Sequence, residues 1–491
     1  MPKRYLIITC ILVYTVTAWF SEGYHHPDEH FQVIELANYK LGRSPAADLP
    51  WEFEARIRPG LQPALTYAII RAAEFAGIQN PFIQAFLMRL FSGWLCLWLY
   101  FKWAKRLDES EPKAGNYLRW AVLLLWFMPY LSVRFSSENM AGLSFAAGAL
   151  FLLEGLEKRP ARLLWAGFLL GLSFFFRYQM GFALLGTAAW LIWHLYRSGK
   201  LIQSLGLPFA GFAVACVLGF GSDIWLYGEN TFAPYNYFIS NIVDDKAAYW
   251  GTSPWWYYLS QTVQTAVPPI SILILLFLGL GAWKQRTHVL VWSLLPFLLA
   301  HFAVGHKEMR FMYPMLLPVL LLSVWGWLEM ERLLSGRPVA QRWSRRFFIF
   351  ALVINCLLLP VRSLLAAQES VACFRFLYNY ALEEPVLVYS HKKLLYEAVG
   401  LNMNFYRSPT IQNRMYVDIK AKKIPEGALI LSQDLQLKNP PADAVTERMY
   451  AYFPDWILNV NLNDWQSRTR MWSLYVVRSL QYEVRSPKPP E

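Results

Sequence analysis

Long apolar stretches separated by polar connections run along the chain up to about residue 365. A helix that crosses a bilayer needs about 20 predominantly apolar residues, and stretches of this order recur throughout that part of the chain. Hydrophobic residues make up 56% of the 491 residues, which is typical of polytopic membrane proteins. The pattern predicts about eleven spans, at residues 5–20, 82–101, 119–134, 140–155, 163–176, 181–196, 207–226, 262–283, 288–305, 311–330 and 347–365.

Basic residues are concentrated on alternate connections between the predicted spans. Lys3 and Arg4 precede the first span, and the largest groups fall within residues 102–119 and 332–346. Because cytoplasmic connections carry an excess of Lys and Arg, this distribution predicts a cytoplasmic N-terminus and places residues 21–81 on the external side. The net charge of +12 follows from membrane topology, so we expect no nucleic-acid partner.

The chain is predicted to contain two domains. Residues 1–365 form a transmembrane domain with two large external connections, a first loop at 21–81 and a second, aromatic-rich loop at 227–260. The tyrosines and tryptophans of the second loop fit either a belt at the headgroup level or a wall for a lipid chain or sugar. Residues 366–491 have the pattern of a soluble α/β domain, which the odd number of spans places outside. Its predicted strands are 386–390, 402–406, 428–432 and 472–477.

An acid pair flanked by histidines directly follows the first predicted span, in residues 26–32 (HPDEHFQ). Ionisable groups at a membrane boundary indicate a functional site. Asp28 or Glu29 suits a general base, because a carboxylate at the edge of an apolar site can have its pKa raised toward the working pH. The alternative is that the acid pair caps a helix, which the sequence predicts over residues 29–39.

The two outer histidines of this motif raise the question of a metal site. His26 and His30 stand at positions i and i+4 and could meet on one helical face together with a carboxylate. Pro27 interrupts the start of that helix, however, and no fixed spacing of His, Cys or Asp elsewhere completes a ligand set. We therefore predict no bound metal.

A group of cations precedes the predicted span at 311–330. His306, Lys307 and Arg310 lie in residues 306–311 (HKEMRF), at the external edge of the membrane. Arginine binds phosphate oxygens through paired hydrogen bonds and lysine acts as a point charge, so this segment suits a phosphate. The alternative is that these long side chains are anchors at the membrane interface. Further polar candidates on the same side are Arg56, Arg58, Arg134, Glu138 and Arg177.

The motifs of several enzyme classes are absent from the sequence. It contains no phosphate-binding loop of the form Gly-x4-Gly-Lys-Ser/Thr, no dinucleotide-binding glycine fingerprint, no His-Glu-x-x-His and no Gly-x-Ser-x-Gly. These absences argue against ATPases and ordinary hydrolases. What remains is an external acid pair near spans that could hold a lipid substrate.

The polar motifs together resemble those of a known family. Residues 26–32, 51–59 (WEFEARIRP) and 306–314 (HKEMRFMYP) are similar to motifs of glycosyltransferase family 22. Its members are polyprenyl-phosphate-mannose-dependent α-mannosyltransferases of the GT-C fold, and the closest resemblance is to those that add the third mannose of GPI anchors. The resemblance covers about residues 1–365.

The resemblance implies an α-helical polytopic membrane protein of the GT-C fold that performs an inverting transfer without a metal or another cofactor. Mannose would move from a lipid-linked sugar donor to a glycolipid acceptor and form an α-linkage. The implied catalytic residues are Asp28, as the base, and Glu29. The residues implied to bind the donor phosphate are His306, Lys307, Arg310 and Arg58. Those implied to support the acceptor or the loops are His26, His30, Gln32, Trp51, Glu52 and Glu308.

Other functions are compatible with the same residues. A different GT-C enzyme would move another sugar from a polyprenyl phosphate, and a membrane scaffold would carry the external domain without catalysis. A lipid or solute transporter fits poorly, because no paired broken spans occur in two matching halves. We expect a multi-pass protein of a bacterial inner membrane with a periplasmic site or, in a eukaryote, of the endoplasmic reticulum membrane with a lumenal site. The absence of an Asn-x-Ser/Thr sequon favours the bacterial setting.

Overall fold

A computed structural model describes residues 3–479 except 200, 392–394, 417–423, 436, 438–439 and 442–443. Helices form most of the chain up to Tyr380, and the described strands begin at Val386. Helices α1 to α11 are Lys3–Phe20, Pro27–Glu29, Glu35–Lys40, Trp51–Glu54, Leu61–Phe75, Pro81–Ser110, Pro112–Leu124, Phe127–Ser132, Ser137–Glu157, Arg162–Phe176 and Gly181–Arg197. Helices α12 to α21 are Leu201–Tyr227, Ala233–Phe238, Tyr257–Thr265, Ile270–Lys284, Val289–Ala303, Leu316–Leu334, Pro338–Leu364, Glu369–Tyr380, Asp455–Leu458 and Trp465–Arg468.

Six of the described helical segments are long and apolar enough to cross a membrane. They are Lys3–Phe20, Pro81–Ser110, Ser137–Glu157, Ser204–Tyr227, Met309–Leu334 and Pro338–Leu364. Three shorter apolar helices, of 10–17 residues, are Arg162–Phe176, Ile270–Lys284 and Val289–Ala303. The apolar composition of the sequence therefore corresponds to a set of apolar helices in the structure.

All of the predicted spans are helical over most of their length, so the apolar pattern located the helices correctly. Two predicted spans are interrupted. The span at 119–134 breaks after Leu124, and the span at 262–283 breaks between Thr265 and Ile270. The second break contains Pro268 and Pro269, which lack the N–H groups that a continuous helix requires.

The chain forms two compact units, and both are discontinuous in sequence. The first unit contains the residues up to Ser21 together with Pro50–Ile78 and Phe86–Leu365. The second contains Glu22–Leu49, Gln79–Ala85 and the described residues from Ala366 onward. Part of the first predicted loop, including the acid pair, thus belongs to the same unit as the C-terminal sheet.

Helices α15 and α17 of the first unit approach each other through two glycines. A Cβ atom on Gly281 would overlap the carbonyl oxygen of Leu322, and one on Gly326 would overlap that of Phe277. Small residues let backbones approach closely in a membrane, where apolar side chains gain little from leaving the lipid. The turn that carries Arg310 leads directly into α17. The packing of α17 on α15 therefore fixes the helix to which this turn is attached.

A five-stranded sheet forms the centre of the C-terminal part of the second unit, in the order β4-β1-β5-β7-β6. Strand β1 pairs in parallel with β4 and β5, whereas β7 pairs antiparallel with β5 and β6. Buried side chains on one face of the central strands form a core, including Tyr389, Ile430 and Val477. Strands β1 to β7 are Val386–His391, Glu397–Ala398, Leu401–Asn402, Ile411–Tyr416, Leu429–Ser432, Ala444–Ala451 and Ser473–Ser479.

Three of the four predicted strands correspond to β1, β5 and β7, and the prediction of a strand at 402–406 is wrong. The strand there ends at Asn402, and Asn404–Tyr406 is a single 3-10 turn. The side chain of Asn404 and the N–H of Phe405 bond to carboxylates from the first 50 residues rather than to a neighbouring strand. The edge strands β4 and β6 were not predicted, because their polar residues break the alternation expected of a half-buried strand.

We expect Gly281→Ala to lower the stability of the membrane unit. The added methyl group has no space against the backbone of α17, and overpacking of this kind typically costs about 1–3 kcal/mol. The measurement is the thermal unfolding midpoint of detergent-purified protein. Gly279→Ala is the matched control, because it lies on the same helix with nothing within 4 Å of the added atom. Equal midpoints for the two variants would contradict the close packing of α15 on α17.

Candidate functional site

The predicted site residues fall into three groups, two in the first unit and one in the second. The first group, here called the cationic cluster, lies at the beginning of α9 and just after the ends of α10 and α16. It includes the start of the 3-10 turn Met309–Met315. The cationic cluster consists of Glu138, Arg177, His306, Lys307, Glu308 and Arg310. Contacts link His306, Glu308 and Arg310 to each other and, through Glu138, to Arg177. Lys307 lies in the same segment and directs its amine to carbonyl oxygens. Glu138 and Arg177 are among the further polar candidates of the sequence.

Glu138 is the acceptor that joins two arginines of the cluster. Its Oε1 accepts a hydrogen bond from Arg177 Nη1 at 2.8 Å and another from Arg310 Nη1 at 3.2 Å. Ser136 caps α9, so the Glu138 carboxylate lies in the first turn of a long helix, where the helix dipole favours negative charge. The Arg177 guanidinium lies over the ring of Phe311, 5.0 Å from its centroid. A single buried carboxylate therefore anchors two guanidinium groups.

Both ring nitrogens of His306 have a hydrogen-bonding partner. Its Nδ1 lies 2.9 Å from the carbonyl oxygen of Gly251, and its Nε2 lies 3.0 Å from Glu308 Oε1. Glu308 also accepts a hydrogen bond from Arg310 Nη2 at 3.2 Å. The second predicted external loop thus supplies a backbone carbonyl that orients this imidazole.

Lys307 is a buried cation whose bonds differ from those of the arginines. Its Nζ donates to the carbonyl oxygens of Ser253, at 3.0 Å, and of Val304. Only 6% of the residue is exposed, and burial lowers the pKa of its ammonium group. Among the residues that the structure describes, no carboxylate forms an ion pair with this ammonium group. A charge buried in this way is costly unless an anion compensates it.

The second group surrounds Arg58, whose side chain donates to Glu52 Oε1 at 3.1 Å. Helix α12 holds the backbone on which Arg58 lies. The hydroxyl of Tyr227 accepts a hydrogen bond from the Arg58 N–H at 3.0 Å and donates one to the Arg58 carbonyl oxygen at 2.9 Å. Asp223, one turn earlier on α12, accepts a hydrogen bond from the N–H of Gly60 at 2.7 Å. Two polar side chains of an apolar helix therefore fix the loop of residues 56–60, here called the Arg58 loop.

Consecutive residues connect the two groups of the first unit. Arg177 bonds to Glu138 in the cationic cluster, and the hydroxyl of Tyr178 lies 3.4 Å from Asp223 Oδ2 beside the Arg58 loop. Burial raises the pKa of Tyr178 well above its ordinary value, so this hydroxyl is a donor to the carboxylate. Trp51 is exposed, and the Lys246 amine lies 5.9 Å from its ring centroid. The two other candidates of this unit bind elsewhere: Arg56 pairs with Glu229, and Arg134 donates to the carbonyl oxygen of Ser21 at 2.6 Å.

The third group is the acid pair, which belongs to the second unit. His26 is the cap of α2: its Nδ1 accepts a hydrogen bond from the Asp28 N–H at 3.3 Å and lies 3.3 Å from Asp28 Oδ1. The capping position is therefore taken by His26, whereas both carboxylates lie in the first turn of the helix. Burial and the charge of Glu29 raise the pKa of Tyr24 to about 12.

The helix predicted over residues 29–39 is present, but it is not a regular α-helix. A π-helical turn, His30–Ile34, separates α2 from α3. His30 and Gln32, two residues of that turn predicted to support the loop, are buried. His30 Nε2 lies 2.9 Å from Glu35 Oε1, so the imidazole is part of a buried network rather than an exposed ligand. Among the described residues, no three His, Cys, Asp or Glu side chains are arranged to hold a metal ion.

Sequence reasoning missed three polar residues that hold the site. Asp223 is the only acidic residue of α12, and an acid inside an apolar helix is itself a signal of function that was available in the sequence. Tyr227 ends the same helix and looked like an ordinary interface tyrosine. Glu35 follows the acid pair on a helix that is polar in sequence, so nothing in its neighbourhood predicted that only 1% of it would be exposed.

Sequence comparison identifies relatives over most of the chain. The sequence model of the Alg9-like mannosyltransferase family matches residues 6–410. GPI mannosyltransferase 3 of Yarrowia lipolytica is 26% identical over 325 residues, which are 65% of this chain and 61% of that protein. GPI alpha-1,2-mannosyltransferase 3 of Mus musculus is 26% identical over 328 residues, 64% of this chain and 57% of that protein. The chain spans about three fifths of the length of these curated relatives.

Structure comparison gives the fold. The crystal structure of ArnT from Cupriavidus metallidurans bound to undecaprenyl phosphate matches with a TM-score of 0.55 at 13% identity and covers 99% of both chains. The structure of the same protein in the apo state matches with a TM-score of 0.54. The GT-C fold predicted from the sequence is thus confirmed, and the chain is a multi-pass membrane protein.

We expect Tyr227→Phe to loosen the Arg58 loop. The change removes two hydrogen bonds to the Arg58 backbone, each worth about 0.5–1.5 kcal/mol, but keeps the ring against Phe53. Trypsin cleavage after Arg56 should therefore become roughly 5- to 150-fold faster, because local opening becomes easier. Tyr235→Phe, on the exposed surface of α13, is the control and should leave that rate unchanged. An unchanged rate in Tyr227→Phe would show that its hydroxyl does not hold the loop.

Proposed function

The chain belongs to the Alg9-like mannosyltransferase family, and from this premise we propose that it is an integral-membrane, inverting glycosyltransferase. It moves mannose from a polyprenyl-phosphate-mannose donor to a hydroxyl group of a lipid-linked, mannose-containing acceptor. The product is an α-mannosidic bond. No metal or other cofactor takes part in the proposed reaction.

The observation that carries this proposal is the buried ammonium group of Lys307, which lies in the same segment as Arg310 of the cationic cluster. Its described hydrogen bonds go to carbonyl oxygens, which leave its full charge uncompensated. A phosphate is the anion that such a cluster suits, because Arg177 and Arg310 present planar guanidinium groups and Lys307 a point charge. The donor phosphate would supply the missing counter-charge.

The cationic cluster would act on the leaving group. As the bond between the anomeric carbon of mannose and the phosphate oxygen breaks, the bonding electrons pass to that oxygen and the polyprenyl phosphate gains negative charge. Fixed cations stabilise charge that develops in the transition state and need no reorganisation at the moment of reaction. Lys307 and Arg310 would take this role, with His306 oriented beside them by Glu308.

Asp28 would act as the general base. It takes the proton of the acceptor hydroxyl while the oxygen attacks the anomeric carbon from the side opposite the phosphate, so the configuration inverts. Glu29 would orient the acceptor or the loop. His26 supports Asp28, because its imidazole contacts both the N–H and the carboxylate of that residue.

The lipid character of both substrates fits the membrane setting. ArnT, which shares the fold, has been crystallised with undecaprenyl phosphate, and the names of the curated relatives refer to GPI mannosyl transfer. We place the proposed site on the external side of the membrane, which is the periplasm in a bacterium and the lumen of the endoplasmic reticulum in a eukaryote. The acceptor would be a glycolipid that already carries mannose.

The direct test is transfer of radiolabelled mannose by purified, reconstituted protein. The donor is polyprenyl-phosphate-mannose, the acceptor is a synthetic mannosyl glycolipid, and EDTA is present in excess. We expect labelled glycolipid under these conditions. Transfer only from a different sugar donor would make the protein another kind of GT-C enzyme. Activity that vanishes with EDTA and returns with a divalent ion would contradict the metal-free mechanism.

We expect Asp28→Asn to lower kcat by about 10²- to 10⁴-fold, because the amide cannot accept the proton of the acceptor hydroxyl. The measurement is single-turnover mannosyl transfer by monodisperse protein. Glu54→Gln is the control: it also removes one acid from the first predicted loop, but from an exposed position, and should retain wild-type activity. An Asp28→Asn enzyme with more than about half of the wild-type rate would exclude Asp28 as the base.

We expect Lys307→Gln to raise the donor KM by about 10- to 100-fold, since a hydrogen bond to a charged group contributes about 1.5–3 kcal/mol. The acceptor KM should stay nearly constant. Lys284→Gln also removes one lysine charge, but that amine pairs with Glu329 at 3.2 Å, and we expect no change in donor KM. If Lys307→Gln changes neither donor KM nor kcat, the proposed phosphate site is wrong.

A further inference from the structure

The acid pair shares a structural unit with the C-terminal sheet domain, although more than three hundred residues of sequence separate them. Besides the bonds of Glu22 to Ala367, Gln368 and Arg375, contacts are made by one short segment of that domain, residues 401–406, which contains β3 and the 3-10 turn Asn404–Tyr406. This segment, here called the clamp segment, meets the polypeptide that follows the acid pair at three points: His30, Glu35 and Asp48.

The first point is a stack of aromatic rings. The imidazole of His30 lies parallel to the ring of Tyr406, with a centroid distance of 5.4 Å and an interplanar angle of 12°. The ring of Phe82 lies 4.8 Å from Tyr406. His30 and Tyr406 are almost fully buried, at 1% and 2% exposed. His30 directly follows Glu29 in the chain, so this stack fixes the backbone at the end of the acid pair.

The second point is the carboxylate of Glu35, which is 1% exposed. Its Oε1 accepts a hydrogen bond from the backbone N–H of Phe405 at 2.9 Å and lies 2.9 Å from His30 Nε2. Its Oε2 accepts a hydrogen bond from the Ser44 hydroxyl at 2.6 Å, and Asn38 Nδ2 donates to the same Ser44 oxygen. One buried carboxylate therefore joins the π-helical turn, the loop after α3 and the clamp segment.

The third point lies at the end of the same polypeptide. Asp48 Oδ1 accepts a hydrogen bond from Asn402 Nδ2, and Asp48 Oδ2 accepts one from Asn404 Nδ2, both at 2.8 Å. The stretch from His30 to Asp48 is thus held at its beginning, middle and end by a segment of only six residues. These polar contacts are buried at Glu35 and partly buried at Asp48, and hydrogen-bond networks of this kind rigidify the structure around them.

We propose that the C-terminal domain holds the acid pair in its working position, and that Tyr406 and Glu35 are positioning residues for Asp28. The inference rests on the proposed role of Asp28 as the base. Its physical basis is that catalytic geometry tolerates little displacement: a shift of about 1 Å can reduce the rate about 10²-fold. The sheet is then a rigid support, and the clamp segment transmits its rigidity to the π-helical turn next to Asp28 and Glu29.

The test compares two tyrosines of the same domain. Tyr406→Ala removes the stack on His30, and Tyr406→Phe retains an aromatic face there. Tyr450→Ala is the matched control, because it removes a tyrosine whose ring packs at a tilt of 34° against Phe376, with centroids 4.9 Å apart, and for which no hydrogen bond or ring contact with the clamp segment is seen among the described residues. Each variant is measured for kcat, donor KM and hydrogen–deuterium exchange of the amides in residues 26–40.

We expect Tyr406→Ala to lower kcat by about 10- to 100-fold with an unchanged donor KM, and to speed exchange in residues 26–40. Tyr406→Phe should stay within about threefold of the wild-type kcat, and Tyr450→Ala should leave both kcat and the exchange of residues 26–40 unchanged. Wild-type kcat and exchange in Tyr406→Ala would overturn the inference, as would equal losses in Tyr406→Ala and Tyr450→Ala. If Tyr406→Ala does not fold, Tyr406→Leu replaces it, because leucine keeps apolar bulk and loses the planar face.

Failure of this inference can be told apart from failure of the proposed function. Wild type and Asp28→Asn are assayed in the same series. If wild type transfers no mannose, the proposed function fails, and the exchange of residues 26–40 alone decides whether the clamp segment holds the helix. If wild type is active, Asp28→Asn is inactive and Tyr406→Ala retains full activity, the base assignment stands and the positioning role is wrong.

Discussion

The energetic penalty for burying charge determines how the polar residues of this protein are arranged. In the first unit, Glu138 anchors two arginines and Asp223 accepts the N–H of Gly60. In the second unit, three donors surround Glu35. A buried charge needs this degree of compensation because partners must replace the water that it has lost. Lys307 differs, since its described partners are carbonyl dipoles, and for that reason it is the group at which an incoming anion gains most.

These contacts lie where apolar helices end. Glu138 is in the first turn of α9, Arg177 follows α10, and Asp223 lies in the last turns of α12. The apolar packing of the helices therefore fixes the backbone from which each polar side chain extends. The close approach of α15 and α17 through Gly281 and Gly326 is the clearest case, because it leaves no space for even one added methyl group. A rigid apolar scaffold of this kind keeps the geometry of its polar ends constant.

The sequence alone was sufficient to locate the apolar helices. Apolar length located the spans, and the motifs at residues 26–32 and 306–311 contain residues that the structure places in polar networks. Prediction from the sequence failed where the conformation of a segment depends on contacts with residues far away in the chain. Glu35 bonds to Phe405, 370 residues away, and that same bond replaces the strand predicted at 402–406 by a 3-10 turn. Local pattern cannot reveal a partner at such a separation, so the role of the clamp segment emerged only from the structure.

We propose that the ammonium group of Lys307 binds the phosphate of a polyprenyl donor. A crystal structure of the protein with bound polyprenyl phosphate tests this proposal. We expect a phosphate oxygen at hydrogen-bonding distance, about 2.7–2.9 Å, from Lys307 Nζ, with Arg310 or Arg177 as a second donor. A well-ordered phosphate bound elsewhere, with Lys307 still donating only to the carbonyl oxygens of Ser253 and Val304, would contradict it.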